Sequence, residues 1–131
     1  DKVNKSESIG VVYCDISGLK HVNDEQGHLA GDELIRKAGK CIEDTFEGNG
    51  LFRVGGDELL VLCPNVKEEV FRQAVDELRE KTKECGVAIA IGYVWKEKAS
   101  DSIDRLMTDA ERWMYSDKAA YYKQMGMDRR K

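Results

Sequence analysis

The sequence predicts an α/β sandwich of the α+β kind, with helices packed on a central, mostly antiparallel sheet. Three observations carry that prediction. Apolar runs of strand length alternate with stretches of helical periodicity; a diglycine turn separates two of the runs; and no internal repeat, low-complexity tract or linker divides the 131 residues. A single domain over residues 1–131 is expected. The chain is long enough for a core of its own, and 41% hydrophobic content with one proline is ordinary for a globular protein.

The elements follow in order. Ile9 to Cys14 is an apolar run of strand length that ends on an acid, Asp15, before a loop and the start of a helix. Leu29 to Phe46 is a long amphipathic helix, with Ala30, Leu34, Ala38, Cys41, Ile42 and Phe46 at helical intervals. Leu51 to Val54 and Leu59 to Cys63 are two short strands around the glycines, and together they read as a hairpin. Val66 to Lys83 repeats the helical pattern through Val70, Phe71, Ala74, Val75 and Leu78 and stops near Gly86. Val87 to Trp95 is almost wholly apolar, as expected of an interior strand. Ser102 to Met125 closes the chain as a helix with Ile103, Leu106, Met107, Ala110, Trp113, Met114 and Tyr121 on one stripe, which is a core pattern. The resulting order is β-α-α-β-β-α-β-α.

The chemistry concentrates at the hairpin tip, Arg53-Val54-Gly55-Gly56-Asp57-Glu58-Leu59. Paired glycines are expected to meet the positive-φ demand of a two-residue loop, and they leave a surface bare enough for a phosphate to lie against the backbone. Two acids follow. Carboxylates beside phosphates call for a hard cation between them, and Mg²⁺ takes one or two protein carboxylates plus substrate oxygens. The four letters alone read more readily as a plain exposed hairpin. The upstream strand changes the balance, because an unpaired acid at the end of a buried strand is costly. With the two strands as neighbours, Asp15 and Asp57 converge on one cation, which makes metal-assisted phosphoryl transfer the leading chemistry.

Composition narrows the alternatives. A net charge of −4 argues against a general nucleic-acid binder, and the basic cluster Arg129-Arg130-Lys131 reads as a solvated tail. No run approaches the roughly 20 apolar residues of a membrane span, so no membrane contact is expected from this segment. Cys14, Cys41, Cys63 and Cys85 lack any C-x-x-C spacing; reduced, buried thiols are the preferred reading, with Cys14 and Cys63 in core strands, and two bridges stay open in principle.

Two segments then resemble a known family. Asp15, Ile16, Lys20, Asn23, Asp24, Gly27, His28, Gly31 and Asp32 match the upstream motif of the GGDEF domain, the family of bacterial diguanylate cyclases, and Arg53, Gly55, Gly56, Asp57 and Glu58 match its hairpin motif. Met114-Tyr115-Ser116-Asp117-Lys118 stands where the family has M-Y-x-A-K. The resemblance implies a fold similar to the palm of nucleotide polymerases and cyclases. It also implies condensation of two GTP into cyclic di-GMP with release of pyrophosphate, in a homodimer whose subunits each hold one GTP. Two Mg²⁺ per site, replaceable by Mn²⁺, would be held by Asp15, the backbone carbonyl of Ile16 and Asp57.

The same resemblance distributes the remaining roles. Asp57 would also assist deprotonation, Glu58 would bind the second cation or hold the hairpin, and Lys20 would balance the phosphate charge. Asn23, His28, Asp32, Gly55, Gly56 and Lys118 would bind the nucleotide. A carboxylate at Asp32 suits guanine, which offers two adjacent donors where adenine offers an acceptor. Without the motif, Asn23 and Asp32 would read as helix caps or solvated polar groups, and Lys20 and Lys118 as surface charges.

Departures are equally legible. Leu59 replaces the usual Phe, Ser17 and Gly18 replace Asp and Phe, and Ala119-Ala120-Tyr121-Tyr122-Lys123 stands where a Gly-Arg pair is common. Phe46-Glu47-Gly48-Asn49 occupies the place of the R-x-x-D feedback motif, so no product inhibition is expected there. These departures motivate a second reading, a degenerate domain that binds GTP or a protein partner without catalysis. The expected setting is cytoplasmic. The chain is expected to be a piece of a larger sensor protein whose input domain is missing.

Overall fold

The structure, a computed structural model, describes residues 7–99 and 103–124, apart from the side chains of Tyr121, Tyr122 and Gln124. The expected helix ends at Ser102 and Met125, the core position at Tyr121, the departure at Tyr121-Tyr122 and the basic tail at 129–131 lie outside that description.

Eight elements follow the expected order: β1 Ile9–Ile16, α1 Leu19–Gln26, α2 His28–Thr45, β2 Gly50–Arg53, β3 Glu58–Pro64, α3 Glu68–Cys85, β4 Ile89–Lys96 and α4 Ile103–Gln124. The sheet runs β2-β3-β1-β4, and every pairing in it is antiparallel. β1 is the central strand. All eight of its residues are buried, because helices cover both faces of the sheet.

Strand alternation divides the core into two layers. Val12, Cys14 and Ile16 point to one face, where Ala38, Cys41 and Ile42 of α2 and Phe71, Val75 and Leu78 of α3 cover them. Ile9, Val11 and Tyr13 point to the other, under Leu106, Ala110 and Met114 of α4. Close approach needs glycine at two strand positions. A Cβ at Gly10 would overlap the Phe71 ring, and one at Gly92 would overlap the Ala110 carbonyl and the Met114 amide of α4. Helix backbone cannot step aside as a side chain can. Gly92→Ala is therefore expected to cost roughly 3 kcal/mol, lowering Tm by on the order of 10 °C in a thermal melt, with α4 displaced from the sheet.

Several expectations change. β1 runs two residues beyond Cys14, because the Ile16 amide donates to the Asp57 carbonyl at 2.9 Å and Ile16 pairs with Ile89. β4 is an edge strand of the described sheet, not an interior one; its apolar character comes from helices over its faces. Asp117 Oδ2 accepts the outward amide of Ile91 at 2.8 Å, so a side chain satisfies part of that open edge. Val70 and Trp113 are solvent-facing, at 56% and 61% exposed, because the buried stripes of α3 and α4 run through Phe71-Val75-Leu78 and Leu106-Ala110-Met114. Among the cysteines, Cys85 is exposed, whereas Cys14, Cys41 and Cys63 are buried.

The hairpin also differs. Its loop spans Val54 to Asp57, and neither Gly55 nor Gly56 has a positive φ. Arg53 closes it instead: its Nε donates to the Gly55 carbonyl at 3.2 Å and a terminal guanidinium nitrogen to the Gly56 carbonyl at 2.7 Å. Positive φ occurs at Gly18, the N-cap of α1, where φ is 77°, and at Gly27, which joins α1 to α2 at 91°.

Candidate active site

Register builds the site. Asp15, two residues after Tyr13 on the α4 face of β1, stands directly opposite Glu58, the first residue of β3, and Asp57 precedes it at the loop end. One carboxylate oxygen from each of Asp15, Asp57 and Glu58 lies within 4.8 Å of the others. The two acids taken from distant segments thus share one face of the sheet.

Asp15 is the buried member, only 1% exposed, and it makes one ion pair with Lys118 Nζ of α4, at 3.2 Å from Oδ2. Its Oδ1 is buried with no hydrogen-bond partner, as is the hydroxyl of Ser17 two residues on. Burial and then the neighbouring charge of Asp57 push the Asp15 carboxyl up to about 6, with Lys118 opposing. Among the described residues, three carboxylates stand against the one ammonium of Lys118, so the cluster is net negative when all are ionised. An orphaned buried carboxylate oxygen in an acid-rich cluster suits a hard divalent cation with oxygen ligands. The donor set fits Mg²⁺ or Mn²⁺.

Tyr13 was not foreseen as part of this site. Its hydroxyl donates to Glu58 Oε1 at 3.0 Å, so Glu58 is fixed from the core side, and burial followed by that hydrogen bond raises the phenol above its ordinary range. Period-2 alternation was the available signal, since Tyr13 and Asp15 share a face. Lys118, expected to meet phosphate, donates to Asp15 Oδ2 here.

The other expected residues lie on α1, α2 and the hairpin loop. Lys20 is exposed in the first turn of α1, just beyond Asp15, and His28 and Asp32 are exposed in the first turns of α2. Asn23 is half-buried where α1 meets α2, and a Cβ at Gly31 would overlap its Oδ1, so Gly31 is the bare seat that lets Asn23 sit there. Gly55 and Gly56 are exposed at the loop tip. A Cβ at Gly56 would meet nothing, and one at Gly55 only makes ordinary contact with Glu58 at 3.6 Å. Neither conformation nor internal packing demands glycine there, which leaves the bare outer surface as the physical reason for the pair.

The chain matches the family described as "Diguanylate cyclase, GGDEF domain" over residues 1–124. It is 32% identical over 126 residues to the cyclic di-GMP phosphodiesterase PdeR of Escherichia coli, covering 86% of this chain and 18% of that protein. It is 26% identical over 129 residues to the diguanylate cyclase VdcA of Vibrio cholerae, covering 88% and 38%. The chain therefore spans less than two fifths of the length of either relative. Among solved structures, an EAL/GGDEF domain protein from M. capsulatus superposes with a TM-score of 0.80 at 20% identity, over 92% of this chain and 84% of that one, and shows the same fold.

Proposed function

Because the chain belongs to the GGDEF domain family, we propose that it is a diguanylate cyclase domain that condenses two GTP into cyclic di-GMP and releases two pyrophosphates. The observation that carries the reading is the convergence of Asp15, Asp57 and Glu58, with a buried unpartnered oxygen on Asp15, beside a diglycine loop that nothing inside the fold requires.

Asp15, the Ile16 carbonyl and Asp57 would hold Mg²⁺, with Mn²⁺ as a substitute, and the bound cation would neutralise triphosphate charge and ease ionisation of the attacking 3′-hydroxyl. The residues do the rest. Gly55 and Gly56 let phosphate oxygens approach the loop backbone, and Arg53 keeps that loop rigid by holding both glycine carbonyls. With a cation held at Asp15, Lys118 would be released to meet the phosphates, while Lys20 meets charge building on the transferred group. Asp57 accepts the proton of the 3′-hydroxyl. Tyr13 holds Glu58 in place beside the other two acids.

Asn23 and Asp32 read the base. Asp32 accepts from the two adjacent donors of guanine, and adenine presents an acceptor to the same carboxylate. One subunit holds one GTP, so ring closure needs a second subunit facing the first, and the rate is expected to rise more steeply than linearly with protein concentration. The test is chromatography of products from concentrated protein with GTP and Mg²⁺. Cyclic di-GMP supports the reading, and its absence at millimolar protein and saturating metal sinks it. In a mixture of ATP and GTP, only the guanine product is expected. Asp32→Ala is expected to weaken GTP binding at least tenfold and to erase that preference.

One observation favours a second reading, a regulatory domain that binds GTP or a protein partner without turnover. Lys118 already gives Asp15 a cationic partner in the absence of metal, and relatives include proteins named as cyclic di-GMP phosphodiesterases. GTP binding without cyclic product in an enforced dimer would select it.

A further inference from the structure

Cys41 and Cys85 are far apart in the chain and adjacent in the fold. Their sulfur atoms lie 3.2 Å apart across the seam between α2 and α3, and neither belongs to the carboxylate site. Cys41 is buried at 6% exposed; Cys85, the last residue of α3, is exposed. The seam opens as a groove of about 600 Å³ lined by both cysteines, with basic Lys37 and Lys81 and acidic Glu33, Asp44 and Glu84 along its sides. We propose that Cys41 and Cys85 are a reversible oxidation site, a dithiol that a hydroperoxide converts to a disulfide stapling α2 to α3.

The geometry favours this pair over the other thiols. Cys14 and Cys63 are buried in the sheet, at 0% and 2% exposed, where an oxidant in solution does not reach. A disulfide needs the sulfurs to close to about 2.05 Å, so roughly an ångström must be yielded. The end of a helix yields easily. Cys85 is followed at once by Gly86, with φ of 73° as the C-cap, so the Cys85 side is free to adjust without bending the body of α3.

The chemistry runs in two steps. The exposed Cys85 thiol attacks the peroxide O–O bond, giving a sulfenic acid on Cys85 and one water. Cys41 sulfur then attacks the sulfenic sulfur, its proton leaves with the hydroxyl as a second water, and the S–S bond forms. Two thiols and one H₂O₂ thus give one disulfide and two waters, and each sulfur is oxidised by one electron. Burial, with the neighbouring Cys85 thiol adding to it, raises the Cys41 thiol. That assigns Cys85 as the thiol that meets the oxidant and Cys41 as the one that resolves it.

Trypsin separates the candidates cleanly, because Lys40 and Arg53 bound one cysteine and Lys83 and Lys96 the other. The whole chain is treated with a few equivalents of H₂O₂, alkylated, digested and weighed. The expected result is peptides 41–53 and 84–96 joined, lighter by two hydrogens than their sum, restored by dithiothreitol and absent in Cys85→Ser. Cys41→Ser should leave Cys85 as a sulfenic acid trapped by dimedone. Closing a loop of this length should raise Tm by on the order of 10 °C in the oxidised wild type and not in either variant. Irreversible sulfinic acid on Cys85 with no joined peptide, bridges that use Cys14 or Cys63, or bridges only between two chains would each overturn the proposal. Loss of GTP turnover has no bearing on these masses, so the test stands apart from the proposed activity.

Discussion

Asp57→Ala is expected to abolish cyclic di-GMP synthesis, with a loss of at least about 10³-fold, on the order of 4 kcal/mol of transition-state stabilisation. The fold should survive. What ties Asp57 to β1 is its backbone carbonyl, which accepts the Ile16 amide at 2.9 Å, and alanine keeps that bond. Removing the carboxylate also takes away the second-largest cause of the raised Asp15 pKa, so that value should fall toward the ordinary carboxylate range. A thermal melt and product chromatography on the same preparation check both halves. Undiminished Mg²⁺-dependent product from the variant would refute the assigned site.

Asp15→Asn is expected to remove metal binding and, at the same time, a pH dependence of stability. The Asp15 carboxyl is raised from 3.8 to about 6 in the folded chain, so the folded state holds its proton more tightly than the unfolded one. The sign follows from that difference. The contribution to stability is greatest below pH 4 and is lost as pH rises through about 4 to 6, by at most roughly 3 kcal/mol at 1.36 kcal/mol per pH unit. Cation binding runs the other way, since it requires the ionised acid. Apparent Mn²⁺ affinity should therefore fall about tenfold per unit below pH 6.

Asparagine at 15 cannot ionise, so both slopes should vanish. The metal-free variant should be no less stable than wild type at pH 7.5, because a buried charge is gone and Lys118, one quarter exposed, keeps access to water. Melts between pH 4 and 8 in EDTA, with Mn²⁺ titrations across the same range, are the measurements. A variant that keeps the wild-type slope between pH 4 and 6 would mean that another group carries it.

Much of the fold is legible in the chain because periodicity is a local property. The stripe Leu106-Ala110-Met114 and the apolar run of β1 announce a helix and a buried strand without reference to any partner. Trp113 and Val70 are misread for the same reason. A stripe is drawn as wide as its apolar letters, whereas the sheet covers only the width it can reach, so large side chains at the margin stay in solvent. The hairpin glycines show a second limit. Their presence is plain, but a loop closed by the Arg53 guanidinium needs no positive φ at either one, and the turn chemistry had to be seen to be known.

The candidate site divides along the same line. Residue types determined that acids at a strand end and beside a diglycine turn could serve a metal, because ligand chemistry belongs to the side chain itself, whereas the nucleotide roles of Lys20, Asn23, Asp32 and Lys118 came from the resemblance of the motifs. Only the tertiary structure decided which of them meet: that β1 and β3 are neighbours in a register setting Asp15 against Glu58, that Tyr13 reaches Glu58, that Lys118 arrives from the last helix, and that Cys41 finds Cys85. Those encounters depend on strand order and on how helices lie across the sheet. They are set by packing summed over the whole chain, which no local stretch of sequence carries.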